Sequence, residues 1–162
     1  MENLTSFRIR PADLADEDSI CAHRRLIFEE EGYHDAAASE AMDQAFRPWL
    51  RRHLAAGTYR GWLAESEATG EIAAGVGLWI LDWPPHLHAP GTPRARVLNV
   101  YTAPEYRRRG LARQLLRAAL DWCTTQNISG LMLQTTTVAR GVYESLGFRP
   151  VNELRLFLPP GA

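Results

Sequence analysis

An apolar run, Val97-Leu98-Asn99-Val100-Tyr101-Thr102, passes through Ala103-Pro104-Glu105-Tyr106 into Arg107-Arg108-Arg109-Gly110, and then into Leu111-Ala112-Arg113 and a helical pattern. A strand that feeds a basic, glycine-ended turn at the mouth of a helix constrains this chain more than any other feature. The first amides of a helix have no intrahelical acceptor and the helix dipole adds partial positive charge there, so backbone alone can hold a phosphate. Three arginines add formal charge at the same place. Gly110 permits a close approach of the backbone, or a turn that a side chain would hinder, and Ala112 is small beside it. Standing alone, the same residues also read as a solvated basic turn ahead of an ordinary helix.

Any anion site must be local, because the formal net charge is -1. That balance gives no general reason to expect nucleic acid or an anionic membrane as a partner. With 162 residues the chain is expected to form a single domain over 1–162 with a substantial core. No apolar run approaches the length of a membrane span, and Met1-Glu2-Asn3-Leu4 lacks a basic and then apolar leader, so the default expectation is a cytoplasmic protein. Cys21 and Cys123 are far apart with no Cys-x-x-Cys spacing and read as reduced, semi-buried thiols.

Phe7 to Arg10 alternates like a short strand, and Asp13 and Asp16 after Pro11 mark a turn and a helix cap. Ile20, Arg24, Ile27 and Phe28 share one helical stripe that ends near Gly32. Met42, Phe46, Trp49, Leu50 and Leu54 give a second helix, closed by Gly57, that Pro48 is expected to kink or split. Tyr59 to Glu65 and Ile72 to Leu81 read as a hairpin turning at Thr69-Gly70, its second strand carrying Gly75 and Gly77. From Asp82 to Arg96 runs a Pro-rich loop, longer than a plain connection needs. After the basic turn, Leu111, Leu115, Ala119 and Cys123 line one face of a helix. Leu131 to Thr135 reads as a strand, Ala139 to Leu146 as a short helix capped by Gly147, and Phe148 to Leu158 as a closing strand.

Arg107-x-x-Gly110-x-Ala112 resembles the Gln/Arg-x-x-Gly-x-Gly/Ala pyrophosphate loop of the GCN5-related N-acetyltransferases. A second mark, Ala139-Arg140-Gly141-Val142-Tyr143-Glu144-Ser145-Leu146-Gly147-Phe148, resembles that family's Ala-x-x-x-Tyr-Glu-x-x-Gly-Phe helix and turn. The resemblance covers nearly the whole chain and is most specific from Val97 to Phe148. It implies an α/β (α+β) fold with a mixed central sheet of about six to seven strands flanked by about four helices. It also implies acetyl-CoA as co-substrate, bound where two parallel strands splay. The backbone of Val100, Tyr101 and Thr102 would meet pantetheine and thioester. The turn and helix start, Arg107, Arg108, Arg109, Gly110, Leu111, Ala112 and Arg113, would hold the pyrophosphate. Tyr143 stands at the position of the family's thiolate-protonating tyrosine.

Departures from the family pattern lie at Thr102, where a small apolar residue is common, and at Thr136, where a cofactor-contacting asparagine often stands. The glutamate that serves some members as base has no counterpart in the apolar Leu131-Met132-Leu133. On the acceptor side the resemblance points to the acidic end of the first helix, with Glu30 among Glu29 to Glu31, to Trp83 in the Pro-rich loop and to Glu153 in the closing segment. Asp82 reads as a turn cap or as a proton acceptor. His86-Leu87-His88 lacks a third ligand at helpful spacing, so no metal is expected.

The function expected is acetyl transfer from acetyl-CoA to a primary amine of a small molecule or peptide by direct attack. A phenol, protonated at neutral pH, suits the delivery of a proton to the leaving sulfur. Two other readings stay open: a non-catalytic acyl-CoA sensor, and transfer of a longer acyl group, for which Gly75 and Gly77 would make room. A homodimer is also left open.

Overall fold

The computed structural model describes residues 6–91 and 93–158. Strand β1 (Phe7–Pro11) leads through a single 3-10 turn into helix α1 (Glu17–Glu30) and then helix α2 (Ala36–Ala56). Strands β2 (Tyr59–Ser66), β3 (Ile72–Leu81) and β4 (Arg94–Thr102) follow, then helix α3 (Leu111–Thr125), strand β5 (Leu131–Met132) and helix α4 (Arg140–Glu144). The sheet runs β1-β2-β3-β4-β5, antiparallel up to β4 and parallel between β4 and β5.

Local chemistry sets these boundaries. Asp13 accepts from the Ala15 amide at 2.8 Å and Asp16 accepts from the Asp13 amide at 2.9 Å, a reciprocal cap that turns the chain into α1. Arg10 grips both carboxylate oxygens of Asp16, at 2.9 and 2.8 Å, and so ties β1 to that turn. Asp35 caps α2 through the amides of Ala37 and Ala38, and Gly57 ends the helix at φ +71°.

Each face of the sheet carries its own apolar layer. On one face Leu111, Leu115, Leu116, Ala119 and Cys123 of α3 pack on Trp62, Ala64, Val76, Leu78, Ala95 and Val97. On the other, Ile20, Cys21, Phe46 and Leu50 of the first two helices pack around Tyr59. Both cysteines are buried and unpaired.

Three expectations are corrected. Pro48 does not split helix α2, which runs unbroken from Ala36 to Ala56, because Phe46 and Leu50 on either side of it are both buried against the sheet. The strand expected over Leu131 to Thr135 shortens to Leu131 and Met132, and the closing segment forms no strand, so the sheet has five strands among the described residues. The apolar alternation of that segment finds no layer to cover it: Val151, Leu154, Leu156 and Leu158 are 77%, 98%, 80% and 78% exposed. Gly75 and Gly77 open no space for an acyl chain. A Cβ at Gly75 would stand 2.9 Å from the His23 ring and 2.9 Å from Leu63, and one at Gly77 would meet the Tyr59 ring at 2.6 Å. These glycines let two large side chains lie flat on β3.

Strand β4 carries a bulge. Gly75 pairs with Tyr101 but Gly77 pairs with Leu98, so β4 carries one extra residue opposite Val76. Asn99 occupies this bulge at φ +53°, a conformation asparagine tolerates better than most residues. It is buried; its carboxamide donates to the Tyr59 hydroxyl at 3.2 Å and accepts from Arg24 at 3.1 Å.

Gly77→Ala should therefore lower unfolding stability by about 1–3 kcal/mol, the usual range for overpacking, with the Tyr59–Asn99 contact displaced. Chemical denaturation checks this, and an unchanged midpoint would show that Tyr59 has room to move.

Candidate active site

Parallel pairing between β4 and β5 is confined to Ala95 with Leu131 and Arg96 with Met132. From Val97 to Thr102 the edge of β4 turned away from β3 has no strand beside it among the described residues. Backbone donors and acceptors on such an edge are available to an extended ligand.

Beyond β4 the chain makes a 3-10 turn over Pro104–Tyr106 and enters the basic turn. Arg107 is extended, Arg108 is left-handed at φ +63°, and Gly110 is left-handed at φ +78° as the residue before α3. A Cβ on Gly110 would touch only Gln114, at 3.9 Å, so glycine is needed here for its backbone conformation rather than for space. Among the described residues no protein acceptor meets the amides from Arg108 to Arg113; Gln114 is the first to bond, to the Gly110 carbonyl at 3.1 Å. A run of free amides at a helix start is an anion cradle. Leu111 anchors it, being 3% exposed in the core, while Ala112 is half-buried and Arg113 is exposed.

The three arginines have different roles. Arg107 donates from Nε to the Thr102 carbonyl at 2.9 Å and from Nη2 to Glu30 at 2.5 Å, tying the end of β4 to the end of α1. Its charge is already matched. Arg109 lies over the Tyr106 ring at 5.6 Å, and Tyr106 in turn donates to Glu71. Arg108 is exposed. Glu30, expected at the acceptor side, is thus paired with the basic turn.

Tyr143 on α4 is 8% exposed and shares the apolar cluster of Val97 and Val100. Its ring meets Phe148 edge-on at 6.0 Å. Burial pushes the phenol up to about 12, and among the described residues the hydroxyl has no hydrogen-bond partner. Thr136 holds the start of this helix: its hydroxyl accepts from the Ala139 amide at 3.3 Å and its carbonyl from the Arg140 amide at 3.1 Å.

The other acceptor-side residues do not converge. Trp83 stacks on Arg94 at 4.9 Å, at the start of β4, whereas Glu30 reaches the end of that strand through Arg107 and Thr102. Eight strand steps of about 3.3 Å put roughly 26 Å between those ends. Glu153 pairs with Arg96 at 3.7 Å, in the first half of β4. The expectation that the Pro-rich loop and the end of the first helix lie on one side is therefore corrected. A β3–β4 hairpin puts its loop at the start of β4 by construction.

Residues not singled out for the site in the sequence stand on the α1 side of the bulge. His23 is buried, its ring 4.9 Å from that of Tyr101. Its neighbour Arg24 bonds Asn99 and lies between the rings of Phe28 and Phe46. The signals were present: Asn99 is the one polar residue in the run Val97 to Tyr101, and Arg24 is the one charge in an apolar helical stripe.

A family model described as Acetyltransferase (GNAT) family matches residues 20–148. The chain belongs to this family. A crystal structure of a GCN5-related N-acetyltransferase from Ralstonia eutropha JMP134 has a TM-score of 0.86 at 32% identity, covering 94% of this chain and 99% of that one. A predicted acetyltransferase from Clostridium acetobutylicum, solved with acetyl-CoA, has a TM-score of 0.83 at 23% identity, covering 94% and 96%. Human N-acetyltransferase 8 is 30% identical over 95 residues, which make up 57% of this chain and 39% of that protein. The matched stretch thus spans well under half of that relative. No helix among the described residues is long and apolar enough to cross a membrane.

In this GNAT chain burial pushes His23 down to about 4. The neutral ring is what α1 and Tyr101 accommodate. Because the folded state resists protonation more than the unfolded chain, stability is fully present above about pH 6.5 and declines as pH falls toward 4. The His23 ring resonances should stay at neutral-form positions from pH 8 to 5 and titrate near 4 in NMR spectra. A midpoint near 6.5 would mean that water reaches the ring.

Proposed function

We propose that the chain transfers an acetyl group from acetyl-CoA to the primary amine of a small molecule by direct attack. The observation that carries this reading is the coincidence of two unsatisfied backbone surfaces, the open edge of β4 and the free amides of Arg108 to Arg113, joined end to end. One is suited to an extended, amide-rich arm and the other to a diphosphate, which is the order of parts in coenzyme A.

Acetyl-CoA would supply an activated thioester carbonyl. An amide on the open edge of β4, at Thr102 or a neighbour, would donate to the carbonyl oxygen as charge develops there. The neutral amine nitrogen forms the new C–N bond, the C–S bond breaks, and the sulfur takes a proton from Tyr143. The proton lost by nitrogen passes to water, since no carboxylate projects from Leu131 or Met132, and water returns one to the Tyr143 phenolate. Holding both reactants in register on a rigid strand accounts for much of such a rate enhancement.

Two features favour catalysis over simple acyl-CoA sensing. Among the described residues the Tyr143 hydroxyl is not committed to any partner, and its raised pKa keeps it protonated across the neutral range. Acetyl is favoured over longer chains because His23 and Tyr59 fill the room beside Gly75 and Gly77.

Thiol release from acetyl-CoA against a panel of primary amines tests this reading directly. Tyr143→Phe should bind acetyl-CoA as wild type does but turn over about 100-fold more slowly when chemistry limits the rate. Equal turnover would remove Tyr143 from the acid role, and thiol release that no amine accelerates would remove the transferase reading.

A further inference from the structure

One half-buried charge on the α1 side has no counter-charge among the described residues. Arg24 projects from the apolar stripe of α1 and bonds Asn99 at the bulge. Its guanidinium carbon stands 4.7 Å from the centre of the Phe46 ring and 5.3 Å from that of Phe28. Its Nε is sealed from solvent without a hydrogen-bond partner, and among the described residues no carboxylate pairs with it.

Of the other half-buried arginines among the described residues, Arg94 also lacks a carboxylate and keeps its Nε sealed without a partner, but it stands at the start of β4, donating to the Pro84 carbonyl at 3.3 Å and lying over Trp83; the rest are paired. Arg10, 26% exposed in its side chain, pairs with Asp16 and Glu65; Arg47, 32% exposed, pairs with Glu17, Asp18 and Asp43; Arg96, 23% exposed, pairs with Glu153. A half-buried cation that meets two ring faces and one carboxamide oxygen is under-compensated, and its partial burial lowers its pKa. An apolar side chain would fill the space between Phe28 and Phe46 without that cost.

The position of Arg24 indicates what the charge is for. Asn99 lies within the part of β4 that has lost β5, and the ring of His23, next to Arg24 on α1, lies tilted against that of Tyr101 two residues further along. An acceptor approaching an acyl group on this stretch from the α1 side meets Arg24. We propose that Arg24 binds a carboxylate of the acceptor, so that the substrate class is an amine that also carries a carboxylate, its apolar body resting on Phe28 and Phe46. A carboxylate fits the planar fork, and its single charge balances one uncompensated cation where a phosphate dianion would exceed it. This inference rests on the transferase reading for the word acceptor, but not for the binding of the anion.

The test compares α-, β- and ω-amino acids with their carboxamides in the thiol-release assay. The carboxamide amine is the less basic and is intrinsically favoured at neutral pH, so a preference for the acid requires recognition. Wild type should favour the acid at least about 10-fold in kcat/KM, as expected for a charge-assisted pair. Arg24→Gln should bring the ratio near one chiefly by raising KM, and Arg24→Lys should lie between, with acetyl-CoA affinity and melting temperature confirming a folded site. Calorimetry of the matching N-acetyl amino acids with CoA present gives a second readout that needs no turnover: binding by wild type that Arg24→Gln loses supports the inference even if the transferase reading fails. Equal use of acids and carboxamides by wild type, a preference that survives Arg24→Gln, or neither turnover nor binding of any carboxylate-bearing compound would each overturn it.

Discussion

The buried carboxamide of Asn99 is the contact on which the site depends. It occupies the extra residue of β4, at a positive φ, and is held from β2 by Tyr59 and from α1 by Arg24. Before the bulge Val97 packs toward α3; after it Tyr101 packs toward His23 on α1. A one-residue insertion thus decides which side chains of β4 meet which layer, and the Asn99–Tyr59 pair that fixes it is buried and so has few alternatives. Gly77 belongs to the same unit, since only a missing side chain lets the Tyr59 ring lie where it can reach Asn99.

The distribution of arginine charge follows from this frame. The chain has no lysine, so all its permanent side-chain cations are guanidinium groups. Those that brace the scaffold are paired: Arg10 holds the Asp16 carboxyl below its usual range, and Arg51 with Arg47 does so for Glu17. At the turn after β4, Arg107 is committed to Thr102 and Glu30, while Arg108 and Arg113 stand exposed beside the free amides. An anion at this turn would therefore be held by backbone orientation and a few local charges, in a molecule whose formal charge is -1.

Much of this was legible in the sequence because it depends on local rules. The strand, basic turn and helix start from Val97 to Ala112 are a contiguous device, and Gly110 has the left-handed backbone that its residue type announces. Tyr143 and its capping Gly147 follow from one short helix. What was not legible depends on distance. No periodicity reveals that β5 stops at Met132, and the apolar alternation of 151–158 has the pattern of a strand without a partner. Gly75 and Gly77 signalled a close approach, but not that His23 and Tyr59 would be what approaches. Trp83 was placed with Glu30 although hairpin topology sends them to opposite ends of β4.

The central claim is that one continuous backbone surface, the open edge of β4 and the amides after it, receives acetyl-CoA. Amide NMR of the 15N-labelled chain titrated with acetyl-CoA addresses it most directly. The largest shifts should fall on Arg108 to Arg113 and on Val97 to Thr102, with β1 and the buried face of α2 unmoved. Saturable binding whose shifts lie elsewhere, or no binding at all, would contradict the account.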